Sequence, residues 1–362
     1  MGFRSIRGHQ AVRRLLQRAV THDRLPPCLL FTGPDGVGKR LTAVTLAARI
    51  NCESRFDREN ESAEACGACG ACERIERGVH PDVILIAPEE SGAIKVDTIR
   101  AAVAQAGYRP FEGRRRVVII DEADRMVDQA QNALLKTLEE PPSGSMFLLV
   151  TARPHQLLAT IRSRCPALRF GGVPVDDIVD LLVTEHGTTR AAARVAAVAS
   201  DGSVSVALET ESDEHLEALD SAAAALQALA RARNPKQRLE TAKTLVPERR
   251  GKRSSPAADR ETLRRRLRAM AALLRDLQLV AAEGASSGLA HADRESDMRA
   301  LARGFGAARS RQGFATVDRA LHALSRNASP KVVVDWLALR LGEYRGDFRL
   351  AVHHATLCQR QI

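Results

Sequence analysis

The run Gly33-x-x-x-x-Gly38-Lys39 carries the most definite chemistry in this sequence. Glycines at this spacing let backbone N–H groups, with Gly36 inside the same turn, face inward around phosphates. Lys39 then adds a point charge for the outer phosphates. A working phosphate loop continues with Ser or Thr, whose hydroxyl ligates Mg²⁺. Here that position holds Arg40. A guanidinium has no lone pair for a metal and is always positively charged. Thr42 comes two positions too late to replace the missing hydroxyl. The loop is expected to keep its shape with weak or absent hydrolysis. Whether it takes nucleotide with Mg²⁺ stays open.

A second group of residues fits the same chemistry. Val117-Val118-Ile119-Ile120-Asp121-Glu122 reads as a buried strand ending in two carboxylates, a Walker B pattern. Asp121 would hold the metal-water shell and Glu122 would orient the attacking water; Asp124 extends the run. The competing reading is that these acids cap the following helix. The phosphate loop upstream favours the catalytic pattern, in working or vestigial form.

Four cysteines suggest a metal. Cys66, Cys69 and Cys72 form two overlapping C-x-x-C pairs, and Cys52 lies upstream across a polar stretch. Four thiolates close a tetrahedral structural Zn²⁺ site and leave no position open for catalysis. The alternative is a reactive thiol pair or unliganded surface cysteines. Cys28 reads as a core residue, and Cys165 and Cys358 lack metal-like spacing.

The elements that must position these groups follow from hydrophobic patterning. Short apolar runs at Cys28 to Thr32, Asp82 to Ile86, Arg116 to Ile120 and Met146 to Val150 predict strands, with Ala167 to Phe170 as a fifth. Helical periodicity separates them, at Ala11 to Val20, Leu41 to Ile50, Val96 to Ala106 and Ala130 to Leu138. Alternation of this kind predicts a parallel sheet covered on both faces. After Gly171-Gly172 the strand signal stops. Val175 to Glu185, Thr189 to Ala199 and Ser203 to Glu209 read as helices, and the chain stays helical from about Glu214. Pro247 to Asp259, with Arg249, Arg250, Lys252 and Arg253, reads as a mobile loop.

Composition sets outer bounds. The 362 residues allow two or three domains. With 44% hydrophobic and only 3% aromatic residues, the cores should be Ala, Leu, Val and Ile packed as close helices. The net charge of +10 suits nucleic-acid phosphates. It is equally what a GC-rich genome produces, since only seven of the 54 basic residues are Lys. No apolar stretch suits a signal peptide or a membrane span, so a cytoplasmic protein is expected, in which clustered cysteines hold metal rather than disulfides.

Taken in order, these motifs resemble the bacterial DNA polymerase III clamp-loader subunits, of AAA+ type. The resemblance rests on the phosphate loop, the four-Cys insertion, Gly78-Val79-His80-Pro81-Asp82 and Asp121-Glu122-Ala123-Asp124. It continues through Asn132-Ala133-Leu134-Leu135-Lys136-Thr137-Leu138-Glu139-Glu140-Pro141-Pro142 and Thr160-Ile161-Arg162-Ser163-Arg164-Cys165. It is strong over residues 4 to 210 and weak beyond. It implies an α/β AAA+ P-loop domain over 1–170 with the cysteine insertion at 52–72. A small helical lid over 171–212 and a helical collar over 213–362 would follow. It also implies a ring of five subunits, with gamma/tau and delta as partners, that opens a sliding clamp and places it on primed DNA. Arg164 would be an arginine finger toward a neighbour's ATP; the plain reading is a solvated Arg at a helix end.

Within that family two branches compete, the ATP-hydrolysing gamma/tau motor and the delta-prime stator. Arg40 favours delta-prime, as does Ser205, which stands where motor subunits carry a nucleotide-sensing Arg. Leu273 to Leu279 and Ala290-His291-Ala292-Asp293 look like the delta-prime collar, and the chain ends soon after it. Retained Lys39, Asp121 and Glu122 keep the active ATPase as an alternative. A zinc-dependent nucleic-acid module ranks last, because the cysteine cluster has few adjacent basic residues (Arg74 and Arg77) and no aromatic directly after Cys72 for base stacking.

Overall fold

The structure, a computed structural model, describes residues 2–56, 64–89, 91–209, 213–246, 256–281, 295–325 and 328–343. The chain forms two compact units, Met1–Leu208 and Glu209–Ile362.

The first unit is built on five parallel strands. They are β1 (Cys28–Thr32), β2 (Val83–Ile86), β3 (Arg116–Ile120), β4 (Ser145–Thr151) and β5 (Ala167–Arg169), in the order β2-β3-β4-β1-β5. Burial alternates with the strand period. Leu29, Phe31, Val117, Ile119, Met146 and Leu148 face one core, while Leu30, Val118, Ile120, Phe147 and Leu149 face the other. Both faces are therefore dry, which accounts for the unbroken apolar runs in the sequence.

Helices α1 (Gln10–Thr21), α2 (Lys39–Asn51), α7 (Val175–His186) and α8 (Arg190–Ala199) supply side chains to the first core. Helices α4 (Val96–Ala106), α5 (Asp128–Glu139) and α6 (Ala159–Arg164) supply the second. Between α2 and β2 lies α3 (Gly70–Glu76), a short helix that begins within the cysteine segment, where the polar sequence predicts no helix. Helix α9 (Val204–Glu209) follows α8.

The second unit is helical throughout its described residues: α10 (Asp213–Arg231), α11 (Pro235–Leu245), α12 (Pro256–Ala281), α13 (Glu295–Ser325) and α14 (Pro330–Glu343). Helix α12 packs against α13 and α10, and its Leu263, Leu267, Met270, Leu273, Leu274 and Leu277 are fully buried. Helix α13 is interrupted at Gly306, whose φ of 55° is not helical.

The parallel sheet with helices on both faces, followed by a helical unit, is the fold class the sequence implies. One expectation is corrected. Of the loop expected over Pro247 to Asp259, residues 247–255 lie outside the described residues, but Pro256 to Asp259 is the first turn of α12. Proline is pre-set for the first helical position and an acid there favours the helix dipole, so these residues start a helix. Ala290 to Asp293 also lies outside the described residues.

Candidate functional site

The phosphate loop leaves the C-terminal end of β1 and enters α2, whose N-cap is Gly38. β1 lies between β4 and β5, where the connections run to opposite sides, and ligands of open α/β sheets bind at such a switch point. Two loop glycines are needed for space as well as for backbone freedom. Gly33 has φ 145° and Gly36 φ 74°. A Cβ on Gly33 would fall 2.2 Å from the Phe170 carbonyl oxygen, and one on Gly36 would fall 2.1 Å from Ser203 Oγ.

The loop is occupied by its own chain. Lys39 is buried, and its Nζ donates to the carbonyls of Gly33 (2.7 Å) and Pro34 (2.5 Å). Burial pulls its pKa down, against the pull of Asp35, Asp121, Asp124 and Glu122. From the far side, Ser205 N–H donates to Gly36 O at 3.1 Å, so the first turn of α9 lies on the loop. His9 closes another side. Its Nε2 hydrogen-bonds Val37 O at 2.8 Å, and its ring meets Phe170 edge-on at 4.9 Å.

Arg40 and Asp121 are brought together. Arg40 Nη1 lies 3.6 Å from Asp121 Oδ2, with Arg40 more than half exposed and Asp121 largely covered. Burial raises the Asp121 pKa while Arg40 lowers it. Glu122 takes a left-handed backbone, φ 46°, and lies 3.4 Å from Arg125 Nε; burial raises its pKa as well. Asp124 is buried and committed elsewhere. Thr151 Oγ1 donates to its Oδ1 at 2.6 Å and Arg153 Nε to its Oδ2 at 2.9 Å. Thr42 Oγ1 is turned back to Gly38 O at 2.9 Å.

Arg164 does not join this cluster. It ends α6, where its Nη1 donates to Thr160 O at 3.0 Å and its Nη2 to Glu139 Oε1 at 2.5 Å. His9, Thr151, Arg153 and Ser203 were missed from the sequence, since each reaches the site through tertiary contacts that local spacing does not encode.

The four cysteines do converge. The sulfurs of Cys52, Cys66, Cys69 and Cys72 all lie within 4.8 Å of one another, with the Cys52–Cys69 and Cys66–Cys72 pairs at 4.0 Å. Four sulfurs at ~2.3 Å from one tetrahedral ion would be separated by about 3.8 Å. Backbone amides support the sulfurs. Cys66 N–H points to Cys52 Sγ (3.4 Å), Cys69 N–H to Cys66 Sγ (3.3 Å) and Cys72 N–H to Cys69 Sγ (3.5 Å). A hydrogen bond with Ser54, joined by the amides of Ala68 and Cys69, holds the Cys66 thiol at about 6. Burial instead raises Cys52 and Cys72. Glu53, next to Cys52, accepts from Ala71 N–H at 2.9 Å and ties the end of α2 to α3.

Among known proteins, residues 8–174 match the family model for DNA polymerase III, delta subunit. The chain is 35% identical to DNA polymerase III subunit delta' of Bacillus subtilis over 206 residues, 57% of this chain and 60% of that protein. It is 41% identical to subunit delta' of Pseudomonas aeruginosa over 137 residues, 38% of this chain and 40% of that one. With DNA polymerase III subunit tau of Escherichia coli it shares 34% over 176 residues, 49% of this chain and 26% of the other. It thus spans less than two thirds of each of these relatives. The phosphate loop, the cysteine centre and the Asp121-Glu122 strand end all fall inside the matched span, so the likeness to the DNA polymerase III delta-subunit family extends over residues 8–174, a little under half of the chain.

Proposed function

We propose that this chain is a delta-prime-type stator of a clamp loader, acting with gamma/tau and delta subunits in a five-membered ring. The ring loads a sliding clamp onto primed DNA, and the chain itself has little or no ATPase activity. The observation that carries this reading is the Arg40–Asp121 pair at 3.6 Å. A guanidinium stands where a hydroxyl would help bind Mg²⁺, and it neutralises the carboxylate that would share the ion. Lys39 directs two of its three N–H donors to the loop's own carbonyls, which supports the same reading. Relatives named delta' at 35% and 41% identity support the branch.

In this reading a P-loop domain covers residues 1–170, a lid 171–212 and the collar 213–362. Arg164 serves a neighbouring motor subunit as a finger. DNA contact by the assembled ring is sequence-independent and salt-sensitive. Among the described residues no helix is long and apolar enough to cross a membrane. The second reading, an active motor subunit, draws on the retained Lys39, Asp121 and Glu122 and on the match to tau. Mg²⁺-dependent ATP turnover by the purified chain, beside Arg40→Thr, separates the two. We expect the natural chain to be inert. Turnover at a motor-like rate, on the order of 1 s⁻¹ or more, would overturn the stator assignment.

We also infer that Cys52, Cys66, Cys69 and Cys72 hold a structural Zn²⁺. The supporting observation is four sulfurs at near-tetrahedral spacing backed by N–H···S contacts. The ion would close the segment between α2 and β2 without taking part in catalysis. Elemental analysis should find about one zinc per chain. Stripping it with a chelator, or Cys72→Ser, should lower the melting temperature by several degrees while β-sheet content persists. A metal-free preparation with the same melting temperature would remove the assignment.

A further inference from the structure

The loop from Tyr108 to Arg115, between α4 and β3, has no part in the nucleotide site. It carries two strongly exposed aromatics in a chain with 3% aromatic residues: Tyr108 is 70% exposed and Phe111 81%. Exposed aromatics on a floppy loop would mean little. This loop is held at three points.

Asp82, fully buried at the foot of β2, accepts N–H bonds from Phe111 (2.7 Å), Glu112 (2.9 Å) and Gly113 (2.8 Å). Asn51, the last residue of α2, accepts from the amides of Arg114 (2.9 Å) and Arg115 (3.1 Å) and donates to Arg115 O (3.0 Å). Arg116 donates to Gln105 O, joining the two ends of the loop.

The charge on the loop is sorted as well. Its one acid, Glu112, is engaged with Arg74 at 2.9 Å, and His80 Nε2 lies 3.4 Å from the same carboxylate oxygen. Arg115 lies 3.7 Å from Asp23. Arg109 and Arg114, on the same loop as the two aromatics, are exposed. The backbone-anchored loop thus presents two exposed aromatic rings and two exposed guanidinium groups.

We propose that Tyr108 to Arg115 is a stacking platform for single-stranded nucleic acid. Bases lie on the rings of Tyr108 and Phe111, and neighbouring phosphates are met by Arg109 and Arg114. Every base offers a π-face, so such a platform tolerates any sequence, and arginine suits both phosphate and base planes. Duplex DNA fits less well because its bases are already stacked on each other. The platform stands apart from the clamp-loader reading, since it requires only this chain and a strand.

The test is fluorescence anisotropy with a labelled oligothymidylate and a duplex of equal length, using the full chain at several salt concentrations. The natural chain should prefer the single strand. Tyr108→Ala with Phe111→Ala should weaken that binding tenfold or more, and Tyr108→Phe should preserve it. Arg109→Ala should flatten the salt dependence by a slope of about 0.7. Melting curves of these surface variants should match the natural chain, so that a loss of binding is not a loss of fold. No binding of the oligonucleotide, or equal binding by the double alanine variant, overturns the proposal. So does equal affinity for duplex and single strand with only Arg109 mattering, which would leave bare electrostatics. If the double variant keeps oligonucleotide binding but fails to associate with gamma/tau, delta or the sliding clamp, the loop is a protein-docking face instead.

Discussion

Arg164→Ala is expected to leave the fold and subunit assembly intact while lowering ATP turnover of a reconstituted clamp loader by about 10³-fold or more at the site it serves. The chain's own chemistry cannot account for this residue, because its partners are Glu139 and Thr160 rather than Lys39 or Asp121. Its side chain is 33% exposed and that of Glu139 is 48% exposed. An ion pair in such a setting contributes little, so the guanidinium can leave it at small cost for a triphosphate on a neighbouring subunit. There it would stabilise charge that develops only in the transition state. Arg164→Lys should fail nearly as badly, since a lysine lacks the planar fork that grips a phosphoryl group. Turnover unchanged in the alanine variant would show that the arginine is an ordinary helix-end residue.

The largest effect on stability is expected at Asp82. Its carboxylate accepts three successive backbone N–H groups and lies 2.8 Å from Arg116 Nη2. Asp82→Ala leaves those donors without an acceptor and strands a buried guanidinium, at a cost of about 3–5 kcal/mol. For a unit of this size the melting temperature should fall by roughly 10 °C. The same carboxylate sets an acid limb. Burial alone would raise its pKa, but the three amides and Arg116 override that and hold it at about 2, below the ordinary 3.8. A depressed pKa stabilises the fold above the unfolded value. The contribution, about 2 kcal/mol, is then lost as pH falls from near 4 through about 2. Asp82→Asn should be less stable at neutral pH and show a flatter loss on acidification. A variant that melts like the natural chain at pH 7 would remove Asp82 from this role.

Much of the first unit could be read in the sequence because its strands are buried on both sides. Val117 to Ile120 and Phe147 to Val150 are apolar without interruption, and only a covered parallel strand tolerates that. The cysteine centre was legible for a different reason, since ligand spacing is local. Its inner helix α3 was not, because seven residues give too short a period to stand out. Contacts made across long separations stayed hidden. In the sequence Asp82 reads as the start of a strand and the end of the Gly78–Asp82 motif, neither of which shows that its carboxylate organises residues 111–116. Ser203 and His9 read as ordinary polar residues, and only the folded chain sets them against the phosphate loop. At Pro256 the basic residues before it outweighed a helix-start signal that was present all along.

The contacts that hold the phosphate loop also bear on how tightly a nucleotide could bind. Lys39 is bonded to Gly33 and Pro34, and the Ser205 amide to Gly36. The loop thus carries an internal competitor that never diffuses away. A triphosphate entering this loop would have to draw Lys39 away from the Gly33 and Pro34 carbonyls, so its apparent dissociation constant would be the intrinsic one divided by the fraction of molecules in which those bonds are open. Slow exchange of the Ser205 amide with solvent deuterium would report the same closed population directly.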